Sequence, residues 1–384
     1  MKLLMLTDGI APFVIGGMQK HSYELTKNLA VAGHQITLVH CVYDKSAIPD
    51  KQRLTEAFGE AASANIEFIS MRFPAPAWYP GHYVKESYIY SKWIYDKVKN
   101  KLQDFDFIYA KGFTGWYFLD KKNKGQQMPP VGVKFHGYEM LQAPGNWKMR
   151  LHNMILRSPT IWNNRHADCV FSYGGKITEI IASLGVPRKR IIEVPTGIDE
   201  NWIRASVGRS EPDILRFIFI GRFERRKGIE EINQVLKTLP SDNKWEFHFV
   251  GPVPPSVKLR IPQAVYHGQV SDMKEIQKLL DKCQVLVAPS HAEGMPNVIM
   301  EAMARGLAIL TTDVGAIASV VSEENGWFVQ PGDEKTLRAA LLTVLGESAD
   351  KLLIRQKTSL QRIRQYSWEK IASDTALLIG QFCK

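Results

Sequence analysis

Ser290-His291-Ala292-Glu293-Gly294-Met295-Pro296-Asn297-Val298-Ile299-Met300-Glu301-Ala302-Met303 follows directly on the apolar run Val285-Leu286-Val287-Ala288-Pro289. That run has the length and composition of a buried strand. Pro296 suits the first turn of a helix, because its missing N–H would be unpaired there anyway. Glu293 is therefore expected in a loop at the carboxyl end of a strand, with Glu301 on the helix that follows. The backbone amides of Gly294, Met295, Asn297 and Val298 then gather at a positive helix end, which suits an anionic ligand. Two carboxylates flanking such a site fit neutral, hydroxyl-rich groups next to a phosphate, such as a ribose and a sugar.

Outward from this stretch, strand-sized runs alternate with amphipathic helical ones. Residues 3–7, 35–40, 66–70, 107–110, 131–135, 169–172 and 191–194 form a first series. A polar stretch, 199–213, interrupts it, and residues 216–220, 246–250, 285–288 and 308–311 begin a second. Such alternation implies parallel βαβ units. The fold class expected is α/β, with two Rossmann-like doubly wound domains facing an interdomain cleft. Ligands should bind at the carboxyl ends of the strands. The domains expected are residues 1–200 and 201–365.

Three further segments fall at predicted strand ends. Gly221-Arg222-Phe223-Glu224-Arg225-Arg226-Lys227-Gly228 follows the strand 216–220 and places Arg222 and Lys227 where they can neutralise a diphosphate, the arginine by planar bidentate contacts and the lysine as a point charge. Arg225 and Arg226 read as solvated. The first strand leads to Gly16-Gly17 and a helix, and paired glycines let a backbone approach a phosphate or sugar closely. Lys134-Phe135-His136-Gly137 ends another strand, so that His136 is expected at the cleft. No G-x-G-x-x-G is present, which argues against a nicotinamide or flavin enzyme. Asp104-Phe105-Asp106 matches the metal motif D-x-D, but it immediately precedes the strand 107–110 and reads as a helix-to-strand turn. No metal is expected there.

The Glu293/Glu301 pair resembles the E-x7-E signature of the retaining glycosyltransferases of family GT4, which have the GT-B fold. The segment 221–228 is similar to that family's G-R-x5-K-G pattern. The resemblance extends through most of the chain, with its most specific matches between Gly221 and Gly315. It implies an enzyme that moves a sugar from a nucleotide-diphosphate sugar to a glycan, lipid-linked or small-molecule hydroxyl, with retention and without metal or added cofactor. Donor contacts are implied for Gly16, Gly17, Arg222, Lys227, Glu293, Gly294, Met295, Asn297, Val298 and Glu301. Catalytic roles are implied for His136, Glu293, Arg222 and Lys227. In this reading Glu301 holds the ribose and Glu293 orients the sugar; whether Glu293 is a nucleophile stays open. Residues 1–200 would be the acceptor side, with the helix 366–384 packing back on it. One departure stands out. Where the family has Asp-x-Gly-Gly-x-x-Glu, this chain has Asp313-Val314-Gly315-Ala316-Ile317-Ala318-Ser319. The competing readings are a nucleotide-sugar 2-epimerase on the same fold and a non-catalytic sugar-nucleotide-binding protein.

Composition sets the remaining bounds. The net charge is +10, of which +7 falls in residues 1–200. That balance favours anionic surfaces or acceptors. Residues 78–101 interleave aromatics with lysines, a pattern shared by core-packed helices and by lipid-headgroup interfaces. The partners expected are a UDP-, GDP- or ADP-sugar, a glycan or lipid-linked acceptor of cell-envelope type, and an anionic membrane at its periphery, but no nucleic acid. The four cysteines, Cys41, Cys169, Cys283 and Cys383, are scattered. They read as reduced thiols, and the location expected is the cytoplasm, at the inner face of the membrane.

Overall fold

The computed structural model describes residues 1–43, 47–75, 78–79, 81–142, 147–208, 214–240 and 244–383, the side chains of 147–152 excepted. Two units share the chain: Met1–Gly197 with Trp368–Lys384, and Ile198–Ser367.

In the first unit seven parallel strands are β1 (Lys2–Leu6), β2 (Gln35–Val42), β3 (Ile66–Arg72), β4 (Phe107–Lys111), β5 (Val131–Lys134), β6 (Cys169–Ser172) and β7 (Ile191–Glu193), in the order β3-β2-β1-β4-β5-β6-β7. Strands buried on both faces read as continuous apolar runs. That is why Leu3 to Leu6 are all buried and why every residue of β4, Lys111 included, is buried. Leu3, Met5, Leu38, Phe107, Tyr109 and Phe171 from the sheet pack with Leu25 and Leu29 of the helix Gly17–Val31. The last helix, Trp368–Gly380, closes this core with Trp368, Ile371 and Ile379. It lies on the helix Gly17–Val31. Gly197 meets the Trp368 ring so closely that a Cβ there would lie 2.5 Å from it.

In the second unit six parallel strands are β8 (Leu215–Ile220), β9 (Trp245–Val250), β10 (Ala264–Gly268), β11 (Val285–Ala288), β12 (Ala308–Thr312) and β13 (Gly326–Val329), in the order β10-β9-β8-β11-β12-β13. Phe217, Phe219, Phe247 and Phe249 form the aromatic centre of its core. The two edge strands, β10 and β13, were not anticipated from the sequence. Every residue of β10 is only partly buried, and β13 has an exposed Phe328, so neither carries the apolar run of a central strand.

The aromatics of residues 78–101 divide. Tyr90 and Tyr95 are buried on the helix His82–Val98, and Tyr88 packs on Trp116 and Tyr117. Trp78, at 95%, and Trp93 face solvent. Asp106 accepts a hydrogen bond from the Lys2 amide at 2.7 Å, so the D-x-D segment ties down the amino end of β1. No helix among the described residues is long and apolar enough to cross a membrane. The Trp368→Ala variant is expected to lose about 3–5 kcal/mol from the first unit. An unchanged urea midpoint for that unit would show that the last helix is not part of its core.

Candidate functional site

Each sheet reverses its winding once. In the second unit the reversal falls between β8 and β11, and at such a point the loops leaving the carboxyl ends diverge and leave a crevice. The loop after β8 carries Arg222 and Lys227, and the loop after β11 carries Glu293. Lys227 Nζ lies 2.5 Å from Glu293 Oε1, and Arg226 Nη1 lies 3.4 Å from Glu293 Oε2. Glu293 is only 6% exposed. A carboxylate taken this far from water needs a paired cation, and it has two. Arg226 also binds Glu224 at 2.9 Å, and Arg222 pairs with the other oxygen of Glu224 at 3.0 Å. The Arg222 side chain is otherwise open to solvent.

Arg225 and Arg226 are not solvated as their basic run suggested. Arg225 bonds Glu231 at 2.7 Å and Glu230 at 3.3 Å, and its Nη1 lies 2.8 Å from His291 Nε2. Acids two before and five or six after the arginines turn the run into a braid of ion pairs. His291 also donates its backbone N–H to the Arg226 carbonyl at 2.7 Å, which fastens one loop to the other.

Backbone contacts fix these loops with little slack. Gly228 has φ 72° and ends the 3-10 turn Arg225–Lys227, and a Cβ there would lie 2.2 Å from the Pro289 carbonyl oxygen. Gly315, at φ 60°, would place a Cβ 2.4 Å from the carbonyl oxygens of both Glu293 and Gly294. Ala316 donates its N–H to Gly294 O at 2.8 Å. The segment 313–319, which departs from the family pattern, is thus the floor beneath Glu293.

The helix opened by Pro296 spans Asn297–Ala304. Gly294 and Met295 are buried, whereas Asn297, Val298 and Glu301 are partly exposed. Helix geometry aims the first-turn amides back past its N terminus. In the first unit Gly16 and Gly17 are exposed at the start of the helix Gly17–Val31.

Around His136 the first unit brings together residues that the sequence did not single out. Lys111 Nζ lies 2.7 Å from His21 Nδ1 and 3.3 Å from His136 Nε2. His136 Nδ1 lies 2.6 Å from the Tyr173 hydroxyl. Both ring nitrogens of His136 are thereby engaged. Lys134, buried, donates to the Val194 carbonyl at 2.8 Å and sits 4.0 Å above the Tyr173 ring. Burial, with Lys111 and Lys134 alongside, pushes the imidazoles of His136 and His21 well below the usual histidine range. Burial likewise pushes both lysines well below theirs, and for Lys111 neighbouring Lys134 adds to the effect while Asp8 opposes it. Lys111, Lys134, His21 and Tyr173 come from β4, β5, the helix Gly17–Val31 and the end of β6. For Lys111, Lys134 and Tyr173 the signal in the sequence was a polar residue at or just past a strand end, and His21, inside a helix, had none.

Two parallel sheets, each reversing its winding once and carrying polar loops at its carboxyl rim, define an α/β protein of the two-domain GT-B class. Residues 15–202 match the family model described as Glycosyltransferase Family 4, and residues 215–347 match Glycosyl transferases group 1. The chain belongs to this GT4-type glycosyltransferase family. Glycogen synthase of Mycobacterium tuberculosis is 24% identical over 396 residues, covering 98% of this chain and 94% of that protein. Sucrose-phosphate synthase from Thermosynechococcus elongatus superposes with a TM-score of 0.75 at 18% identity, over 99% of this chain and 98% of the other. Anabaena HepE, solved in complex with UDP and glucose, gives 0.65 at 16% identity, over 99% and 100% of the two chains.

Two outcomes test this geometry. Gly315→Ala is expected to displace the Glu293–Gly294 backbone and lower the melting temperature, and a crystal structure with that backbone unmoved would contradict it. Burial alone would raise the Glu231 carboxyl, but hydrogen bonds from His291 and Arg225 overcome it and hold it at about 2. A carboxyl depressed on folding stabilises above its unfolded value and loses that contribution as protons bind. Stability should therefore fall between about pH 4.5 and pH 2, and Glu231→Gln should flatten that limb of the stability curve.

Proposed function

We propose that the chain transfers a sugar, with retention at the anomeric carbon and without a metal, from a UDP-, GDP- or ADP-sugar to a hydroxyl of a glycan, lipid-linked or small-molecule acceptor. The observation that carries this reading is the Lys227–Glu293–Arg226 arrangement, which joins the loops after β8 and β11. Transfer from a nucleotide sugar needs a stabilised diphosphate leaving group more than it needs a strong acid. Lys227, Arg222 and the amides that follow Glu293 supply fixed positive charge where that diphosphate gains negative charge. The diphosphate draws Lys227 from Glu293, whose Oε1 then accepts a hydrogen bond from the donor sugar while Arg226 stays on Oε2. Glu301, four residues into the next helix, holds the ribose hydroxyls. The UDP and glucose named for the Anabaena relative support a nucleotide-sugar donor.

In this reading the second unit is the donor side and the first the acceptor side, where His136 contacts the donor sugar once a substrate hydroxyl displaces Lys111 from Nε2. The +7 charge of residues 1–200 and the exposed Trp78 support an acceptor presented at an anionic membrane surface, on the cytoplasmic face.

Lys227→Ala and Arg222→Ala are each expected to lower kcat/KM for the matched donor by about 10²–10³-fold with circular dichroism unchanged. A thermal-shift series across UDP-, GDP- and ADP-sugars identifies that donor, because a ligand of the native state raises its melting temperature. Undiminished turnover in both alanine variants would sink the assignment.

A further inference from the structure

The winding of the first sheet reverses between β1 and β4. Asp8 stands two residues past the end of β1, and Lys111 is the last residue of β4. Together with Phe73, Tyr83, Ser87, Tyr90, Phe113 and Thr114 they line a recess of ≈ 200 Å³ of atom-free space, which opens to solvent. The recess as a whole admits about one water molecule.

The floor is chemically unfinished. Asp8 is 8% exposed, and its Oδ1 has no hydrogen-bond partner among the described residues. Such an atom in a protein interior ordinarily has one. The hydroxyl groups beside it do not supply it. Tyr90 donates its hydroxyl proton to the Thr7 carbonyl at 3.0 Å. Thr114 donates to the carbonyls of Lys111 and Leu6 at 2.8 and 3.1 Å. With those protons committed, Tyr90 and Thr114 can only accept. The hydroxyls of Tyr83 and Ser87, which bond each other, also line the recess, and Asp8 Oδ1 has no partner among them.

The rim is aromatic. Phe73 and Tyr83 stack with centroids 6.2 Å apart, and Tyr83 meets Phe113 edge-on at 6.4 Å. Tyr83, 36% exposed, is the most open of the lining residues. A carboxylate and an amine in a pit the size of one hydroxyl, beneath aromatic faces, match the mixed polar and apolar surface of a pyranose. A phosphate or carboxylate in the same pit would meet the Asp8 charge.

We infer that this recess is the acceptor subsite, and that it takes a neutral sugar by drawing one hydroxyl onto Asp8 Oδ1 while the ring lies against Tyr83 and Phe113. The inference rests on the proposed transfer reaction and narrows its acceptor to a neutral glycosyl unit. Burial lifts the Asp8 carboxyl to about 6, against a backbone hydrogen bond and Lys111. The groups facing it are Lys111 from β4, Tyr83 and Tyr90 from the helix His82–Val98, and Cys41 and Tyr43 from the end of β2. Burial raises the thiol and the three tyrosines above their usual values, which keeps them neutral where Asp8 titrates, while burial pushes the Lys111 amine well below its usual range.

The test is saturation-transfer NMR on the full chain with the methyl glycosides of glucose, galactose and mannose, with glucose 6-phosphate and inorganic phosphate as anionic probes. At least one methyl glycoside is expected to give a signal that weakens as pH falls through about 6. Asp8→Asn, close in shape to the protonated residue, should weaken binding about tenfold or more. The wild-type pH series decides the matter even if that variant misfolds. Absence of a signal from all three glycosides, a signal indifferent to both pH and Asp8→Asn, or stronger binding by the phosphate probes overturns the subsite. A UDP thermal shift on the same samples separates the two claims. Asp8-dependent glycoside binding in a protein that binds no nucleotide would keep the subsite and remove the transfer reading. Nucleotide binding without glycoside binding would do the reverse.

Discussion

The reversal of winding at the middle of each parallel sheet is the constraint on which the rest of the molecule depends. Right-handed crossovers must carry successive helices to one face on one side of the first strand and to the other face on the other side. The loops leaving the two central strands then part, and the backbone there has no neighbour to cover it. In the second unit the parting lies between β8 and β11, and Lys227 and Glu293 meet there. In the first it lies between β1 and β4, and Asp8 and Lys111 line the recess there. One topological rule has placed charge at equivalent points of two sheets with different side chains.

Both places hold charge at a cost that hydrophobic packing does not offset. Removing an ion from water is expensive, and a buried pair roughly recovers that only when its geometry is good and its other lone pairs are satisfied. Around Glu293 the recovery is thorough, because both oxygens have cations and Arg226 is itself held by Glu224. Around Lys111 and Lys134 it is incomplete, and their ordinary basicity is lost. The two units have therefore solved the same problem differently. The second neutralises its carboxylate with neighbours, and the first lowers the basicity of its amines.

The readable part of the molecule was the part written contiguously. Glu293, Pro296 and Glu301 share one strand-loop-helix segment, so the sequence itself placed them in order on known elements. Arg222 and Lys227 were legible for the same reason, directly after β8. The cluster about His136 was not, because His21, Lys111, Lys134 and Tyr173 are far apart in the chain and meet only through the lateral order β1-β4-β5-β6. No periodicity marks a residue as the last of its strand. Arg225 and Arg226 were misread because a basic run usually faces water, and only the 3-10 turn at Arg225–Lys227 folds it onto Glu224, Glu230 and Glu231. The edges β10 and β13 escaped notice because an edge strand is half solvated and its pattern fades.

The Lys227–Glu293 contact also bears on which solutes occupy the resting crevice. A monovalent anion that reaches for Lys227 must break a 2.5 Å pair and leaves Glu293 with the weaker Arg226 contact at 3.4 Å. A diphosphate ester brings more than one negative charge and has Arg222 and Arg226 within the same loop to receive the remainder. Valence thus enters the competition for this loop: a doubly charged solute gains more from its three cations than a singly charged one does.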